Sequence, residues 1–393
     1  MKGSMMFEEK TQYDWNRAAG DMISRMEQTA AALDHAFPHW ANGQTGVWTT
    51  TPDGDWTGGA WPGMLWLAHR MTGNEKFHEL ARTWCLRLRP RAKLETAFKG
   101  FGFYCGAALG QILTGDETGK TVALEAAESL RNQFDPRLGL IPLGKDAEEH
   151  GEIGKAFSSI DSLQAAPLLF WAASQTGEDS YRERAATHTT RVLDIHCRQD
   201  GSIIQSSELD SRDGSVVRHF THKGFSDTSV WGRAQAWGML YSAMAFARCP
   251  QEKRWLDQSM AAADWWLANV PNDLVAFWDF NDPAIPDTHR DTAATAIVSA
   301  ALLKLAELAP TAAERSRYHE AAELTVRALV TDYLIPTHSD DPRTRGMLVG
   351  GCFNKRPDSR RHDSALNAEL IFGSYFLFES LQVLSGVINA TDI

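Results

Sequence analysis

WPGMLWLAHRMTGNEKFHELARTW, residues 61–84, decides the fold. It reads as an apolar helix rich in small residues, a Thr-Gly turn, and a second, more charged helix. The same unit returns as CGAALGQILTGDETGKTVALEAAESL (105–130) and as LLFWAASQTGEDSYRERAATHTTRVL (168–193). Residues 241–267 and 301–326 repeat it with Pro-containing turns in place of Thr-Gly. AELIFGSYFLFESLQVL (368–384) reads as one more apolar helix, and a helix over about 15–37 supplies the remaining member. Helical hairpins of this kind cannot bury their faces alone and must close on their neighbours. Apolar first helices make an inner ring and charged second helices an outer ring. The expectation is an all-α chain, an (α/α)6 barrel of six helical hairpins. It forms a single domain over 1–393 with a short N-terminal extension. Spacing between units is irregular, so loops at one end are expected to carry function. GSIIQSS (201–207) and VAFWDF (275–280) are expected to be hairpins within those loops.

The net charge of −11 argues against nucleic acid as a main partner. It leaves room for an anionic small ligand, because a local cluster of cations can dominate inside a cleft. Fourteen Trp are many for 393 residues, enough for a core and for sugar-stacking walls. The five Cys are widely spread, with no Cys-x-x-Cys pair or Cys/His cluster that suggests zinc. No metal or other cofactor is expected. A reduced, cytoplasmic protein is the simple reading. No apolar leader precedes residue 15, and no run of about 18 apolar residues suggests a membrane span.

The richest chemistry lies in THKGFSDTSVWGRAQAWGMLY, residues 221–241. Ser226, Asp227, Thr228 and Ser229 are N-cap residue types, so a helix is expected from near Ser229 through Tyr241. Arg233 and Trp237 are four apart and share a helical face. A guanidinium can grip a carboxylate through two parallel hydrogen bonds, and an indole offers a flat apolar surface. With His222 and Lys223 just upstream, the set suits an anionic ring. The alternative is a core Trp stacked on a structural Arg. DWTGGAWPGMLW (55–66) leaves Trp56 at a rim suited to ligand contact, while Trp61 and Trp66 pack inward. In KAFSSIDSLQAAPLLFW (155–171), Asp161 heads an otherwise apolar helix, with Ser158, Ser159 and Ser162 beside it. It is either an acid complementing the helix dipole or a partly desolvated carboxyl usable as a general acid. In residues 275–302, Asp291 reads as an N-cap and Arg290 as its structural neighbour. These groups recur at the starts of inner helices, which in a barrel converge on one mouth.

DWTGGAWPGMLWLA, SSIDSLQAAPLLFWA, THKG, WGRAQAWG, WDF and HRDTAATAI resemble glycoside hydrolase family 88, the unsaturated glucuronyl hydrolases, over about 37–384 of the chain. The resemblance implies an (α/α)6 fold and metal-independent hydrolysis of oligosaccharides left by polysaccharide lyases. Those carry an anionic 4,5-unsaturated uronate at the non-reducing end. It implies that Asp161 is the general acid/base and that Trp56, His222, Arg233 and Trp237 line the sugar subsite. Trp231 and Gln235 of WGRAQAWG are expected there too.

One departure stands out. The family pattern places a second Asp just before its GF-aromatic segment, where TAFKGFGFY has Gly100. IFGSYF replaces the usual Trp-Gly-Asp pattern, and the loop after GLIP reads GKDAEEHGE without the expected Trp. Asp146, Glu148, Glu149 and Asp291 are the candidate substitutes. The leading expectation is hydration of unsaturated uronyl oligosaccharides, with room for an atypical specificity. Three rivals remain open. One is an enzyme on another anionic sugar, and one is a non-catalytic sugar-binding relative. The third is a sugar epimerase using paired His such as His222 and His289.

Overall fold

In the computed structural model, residues 13–148, 157–335, 343–356 and 364–393 are described. Glu149 and Lys155 lie outside them. The inner helices are α2 (Ala60–Thr72), the interrupted α4 (Lys99–Phe103) and α5 (Leu109–Thr114), α7 (Ala165–Thr176), α9 (Gly232–Arg248), α11 (Thr292–Leu308) and α13 (Ile371–Leu384). A π-helical turn, Tyr104–Ala108, joins α4 to α5. Each touches the next, and α13 packs back on α2, so the ring closes. The outer partners are α3 (Glu75–Leu88), α6 (Glu117–Gln133), α8 (Asp179–His196), α10 (Lys253–Asn269), α12 (Ala312–Asp332) and, for α13, the first helix α1 (Trp15–Ala32). The barrel is the expected one.

Residue type explains the two rings. Inner α2 is buried without a break from Ala60 to Ala68, as a helix apolar all round must be. Outer α3 buries only Phe77, Ala81, Trp84, Cys85 and Leu88, a stripe at helical spacing. The Thr-Gly turns work by one device. Gly73, Gly115 and Gly177 take left-handed φ of 67°, 74° and 73° and end their helices. Asn74 and Asp116 then cap the next helix by accepting from Lys76 N and Gly119 N. Among the described residues no helix is long and apolar enough to cross a membrane.

Two small antiparallel sheets decorate the barrel. One has the order β2 (Trp48–Thr51), β1 (Phe37–Ala41), β6 (Glu369–Leu370). Arg25 of α1 pairs with Glu369 at 2.8 Å and so ties the last stretch of chain to the first helix. The other has the order β3 (Phe157–Ser159), β4 (Ser206–Leu209), β5 (Val216–Phe220). This sheet positions candidate site residues: β3 delivers Asp161 two residues past its end, and β5 runs into THKG.

Three local expectations are corrected. α1 stops at Ala32 and not near residue 37, because the chain enters β1 at Phe37. α9 starts at Gly232 and not at Ser229, because residues 226–229 form their own turn and Trp231 is extended, bridging to Asp279. VAFWDF forms no hairpin; it makes isolated bridges, Trp231 to Asp279 and Phe277 to Arg290. GSIIQSS contributes only its end, from Ser206, to β4.

Candidate active site

Asp161 lies in a short 3-10 turn, Ile160–Gln164, between β3 and α7. Ser159 Oγ donates to its carboxylate at 2.5 Å, and the Gln164 amide donates to its backbone carbonyl at 2.9 Å. Asp161 shares a small cavity with Trp56, Phe98, Gln164, Lys223, Trp231, Arg233, Trp237 and Phe353. It is the one carboxylate among the described residues that line this cavity. The space open to water is about 20 Å³, roughly one or two waters. A ring-sized ligand fits there only if the surrounding side chains move.

The walls come from three helix entries. Trp56 packs against Phe372, Phe353 and Phe101, with ring centroids 4.9, 6.2 and 6.3 Å away. Trp237 stacks on Tyr241. Trp61 and Trp66 are buried in the core, as expected.

Arg233 differs from the expectation. Its Nη1 donates to Asp291 at 2.6 Å and to the Cys352 carbonyl at 2.5 Å, and its Nη2 donates to the Phe353 carbonyl. Trp231 covers one face of the guanidinium, 4.5 Å from its carbon. The fork meant for a ligand carboxylate is thus committed to the protein. Asp291 is the N-cap of α11, as expected, accepting from Ala293 N and Ala294 N. Its ionic partner is Arg233; Arg290 instead pairs with Asp273 at 2.8 Å.

Gln235 is a second correction. Its amide accepts from Ile203 N and donates to the Gly201 and Ala262 carbonyls, and it is fully buried away from the cavity. Two residues along a helix from Arg233, it faces the opposite side. His222 is buried beside the cavity but does not line it. Gln205 Oε1 accepts from Thr221 Oγ1, His222 N and Lys223 N. Its Nε2 therefore donates to His222 Nε2 at 3.2 Å, which leaves the proton on Nδ1, donating to Ser206 Oγ at 3.0 Å. Asp279 fixes the other side of this turn by accepting from Phe225 N, Ser229 Oγ and Asn281 N. Gln205, Gln164 and Phe353 were not singled out from sequence. A lone Gln directly after the Ile pair of GSIIQSS was the one available signal.

Of the three candidate substitute acids among the described residues, Glu148 has the most unusual surroundings. It pairs with Arg91, which also bonds Asp53 at 2.5 Å. Burial and the neighbouring Asp55 carboxyl push its pKa up to about 8, against the pull of Arg91. Asp146 accepts from Glu95 N and faces solvent. Neither lines the cavity. Gly100 is packed so closely that a Cβ there would lie 2.3 Å from the Gln164 carbonyl oxygen and 2.5 Å from Ala165 Cα.

No protein-family model matches the chain. Similarity to individual proteins is extensive. The chain is 32% identical over 376 residues to the unsaturated glucuronyl hydrolase of Bacillus sp. (strain GL1), covering 93% of this chain and 96% of that protein. It is 26% identical over 383 residues to the unsaturated chondroitin disaccharide hydrolase of Streptococcus pneumoniae, covering 94% and 92%. The crystal structure of the Bacillus sp. GL1 enzyme matches with a TM-score of 0.86 at 31% identity, over 95% of this chain and 98% of that one. The Streptococcus agalactiae unsaturated glucuronyl hydrolase matches in fold, with a TM-score of 0.85 at 22% identity. This chain, a glycoside hydrolase by these relations, belongs to the unsaturated glucuronyl hydrolase family.

Proposed function

We propose that the protein hydrates the 4,5-unsaturated uronyl residue at the non-reducing end of an oligosaccharide, with Asp161 as its general acid and base. The observation that carries this reading is the placement of Asp161 as the single described carboxylate of an aromatic-walled cavity that also holds Lys223. Asp161 gives its proton to C4 of the enol ether, and positive charge develops at C5 and the ring oxygen. Its conjugate base then takes a proton from water as the water oxygen bonds to C5. The hemiketal opens, the resulting hemiacetal collapses, and the next sugar leaves as an alcohol. One carboxylate closes this cycle, because the proton given to C4 is regained from water. Trp56, Trp237, Phe98 and Phe353 offer ring-stacking faces. Lys223 is the cation we assign to the substrate carboxylate, in place of the committed Arg233 fork.

The resemblance puts a second acid at Gly100, and the tight packing there supports a one-carboxylate site. Specificity is then expected to differ from that of relatives bearing both acids. All five cysteines are unpaired, which supports a reducing, cytoplasmic setting. The test is a panel of lyase-derived unsaturated glucuronyl disaccharides, followed by loss of their enol-ether ultraviolet absorbance. Turnover of at least one is expected, together with rejection of the matching neutral glucosides. No absorbance loss on any of them overturns the reading.

A further inference from the structure

The floor of the cavity is Gln164. Its Oε1 accepts from Phe101 N at 2.9 Å, and its Nε2 holds the Asp161 carbonyl at 2.9 Å. On its other side Gln164 lines a second cavity on the barrel axis, walled by Tyr104, Cys105, Tyr241, Tyr375 and Glu379. A third cavity shares Tyr104 and Met244 with the second and reaches Arg248, Lys304 and Thr391 at the far end of the barrel. Each of the two lower cavities offers about 10 Å³ to water, roughly one molecule. Arg248 and Thr391 are partly exposed, so the series ends near bulk solvent.

Polar groups mark this line. Tyr241 is buried beneath Trp237, yet its hydroxyl has no protein hydrogen-bond partner among the described residues. Buried hydroxyls are seldom left so, and an internal water is the usual partner. Tyr241 and Glu379 line the same cavity, and burial together with the neighbouring Cys105, Asp161 and Glu379 pushes the phenol pKa up. Glu379 in turn accepts from the buried Lys304 at 3.0 Å, and Lys304 also holds the Ala390 and Ile393 carbonyls.

We propose that the barrel axis beneath Asp161 is a water conduit, in which Tyr241 and Glu379 hold a short file of waters running from Gln164 to Lys304. Its use rests on the hydrolytic reading above. Each turnover consumes one water, and a sugar ring seated between the displaced aromatic walls takes up the mouth side of the site. Water then reaches C5 from behind, past the Gln164 side chain. Tyr241 is a positioning residue for that water and touches no substrate atom.

Two measurements test this. The first is a crystal structure that resolves ordered water, with and without an unsaturated disaccharide. Water within hydrogen-bond distance of Tyr241 Oη is expected in both crystals, and a dry cavity there overturns the proposal. The second is Tyr241→Phe, with its own crystal structure. The variant should keep Asp161 and Trp237 in place, lose that water, and lower kcat about 5- to 20-fold at unchanged KM. A wild-type kcat, or a change confined to KM, overturns the conduit. If no unsaturated disaccharide is turned over, the functional reading fails, while the crystallographic arm still decides whether the axis holds water.

Discussion

Arg233 Nη1 meets Asp291 Oδ2 at 2.6 Å, with 2% and 0% of the two side chains exposed. The pair joins the entry of α9 to the entry of α11, 58 residues apart. Removing either partner strands a buried charge, which costs about 3–5 kcal/mol. Arg233→Ala and Asp291→Ala should each lower unfolding free energy by that amount in urea titrations. The double variant should fall well short of the sum. Additive losses would show that the pair does not act as a unit.

Asp161→Asn keeps the side-chain shape and removes the titrating proton. Turnover on the best disaccharide should fall by about 10²–10⁴-fold, the range for general acid–base catalysis. The melting temperature should barely move. Full activity of this variant would end the proposed mechanism.

Gly100→Asp, which supplies the second acid that the family resemblance implies, should not raise turnover. A Cβ at that position meets the Gln164 carbonyl oxygen at 2.3 Å, and that contact is backbone. Overpacking of this kind costs about 1–3 kcal/mol, and it pushes on the turn that carries Asp161. Gly100→Ala is the control and should lose stability and turnover to a similar degree. A gain in rate for the Asp variant alone would show that the site accepts a second carboxylate.

Glu148 should make stability depend on pH between the ordinary carboxylate range and its native value of about 8. Its pKa is raised on folding, so the native state holds a proton that the unfolded chain releases. Its contribution is therefore fully present below the unfolded value and is lost as pH rises through 8. Charged groups around it among the described residues include Asp53, Asp55 and Arg91. Glu148→Gln keeps a neutral side chain at all pH values. Thermal melts from pH 5 to about 9 should show a shallower alkaline decline in this variant than in wild type. Identical profiles would place the sensitive group elsewhere.

The barrel was legible because its cause is local and repeated. A run such as 61–84 carries its own turn, and Gly73, Gly115 and Gly177 punctuate three hairpins alike. The cavity was legible in outline, since Trp56, Asp161, Trp231, Arg233 and Trp237 do come together. Side-chain commitments were not. Arg233 looks free in sequence because the carbonyls of Cys352 and Phe353 that occupy it lie more than a hundred residues away. Gln235 shares a motif with Arg233, yet helical geometry turns it to the opposite side. The crowding at Gly100 is a fact about the backbone of residues 164 and 165, which no residue identity announces.

The Arg25–Glu369 ion pair spans 344 positions of chain. It sits where the ring is sealed, between the first helix and the strand that leads into the last. During synthesis the inner helices emerge one after another with an apolar flank still lacking its neighbour. That flank stays uncovered until α13, Ile371–Leu384, has left the ribosome. Contacts of such long range are formed late and slow folding, and exposed apolar surface in the interim invites aggregation. For this enzyme, sheltering the unfinished ring is thus a demand separate from how firmly the closed ring holds.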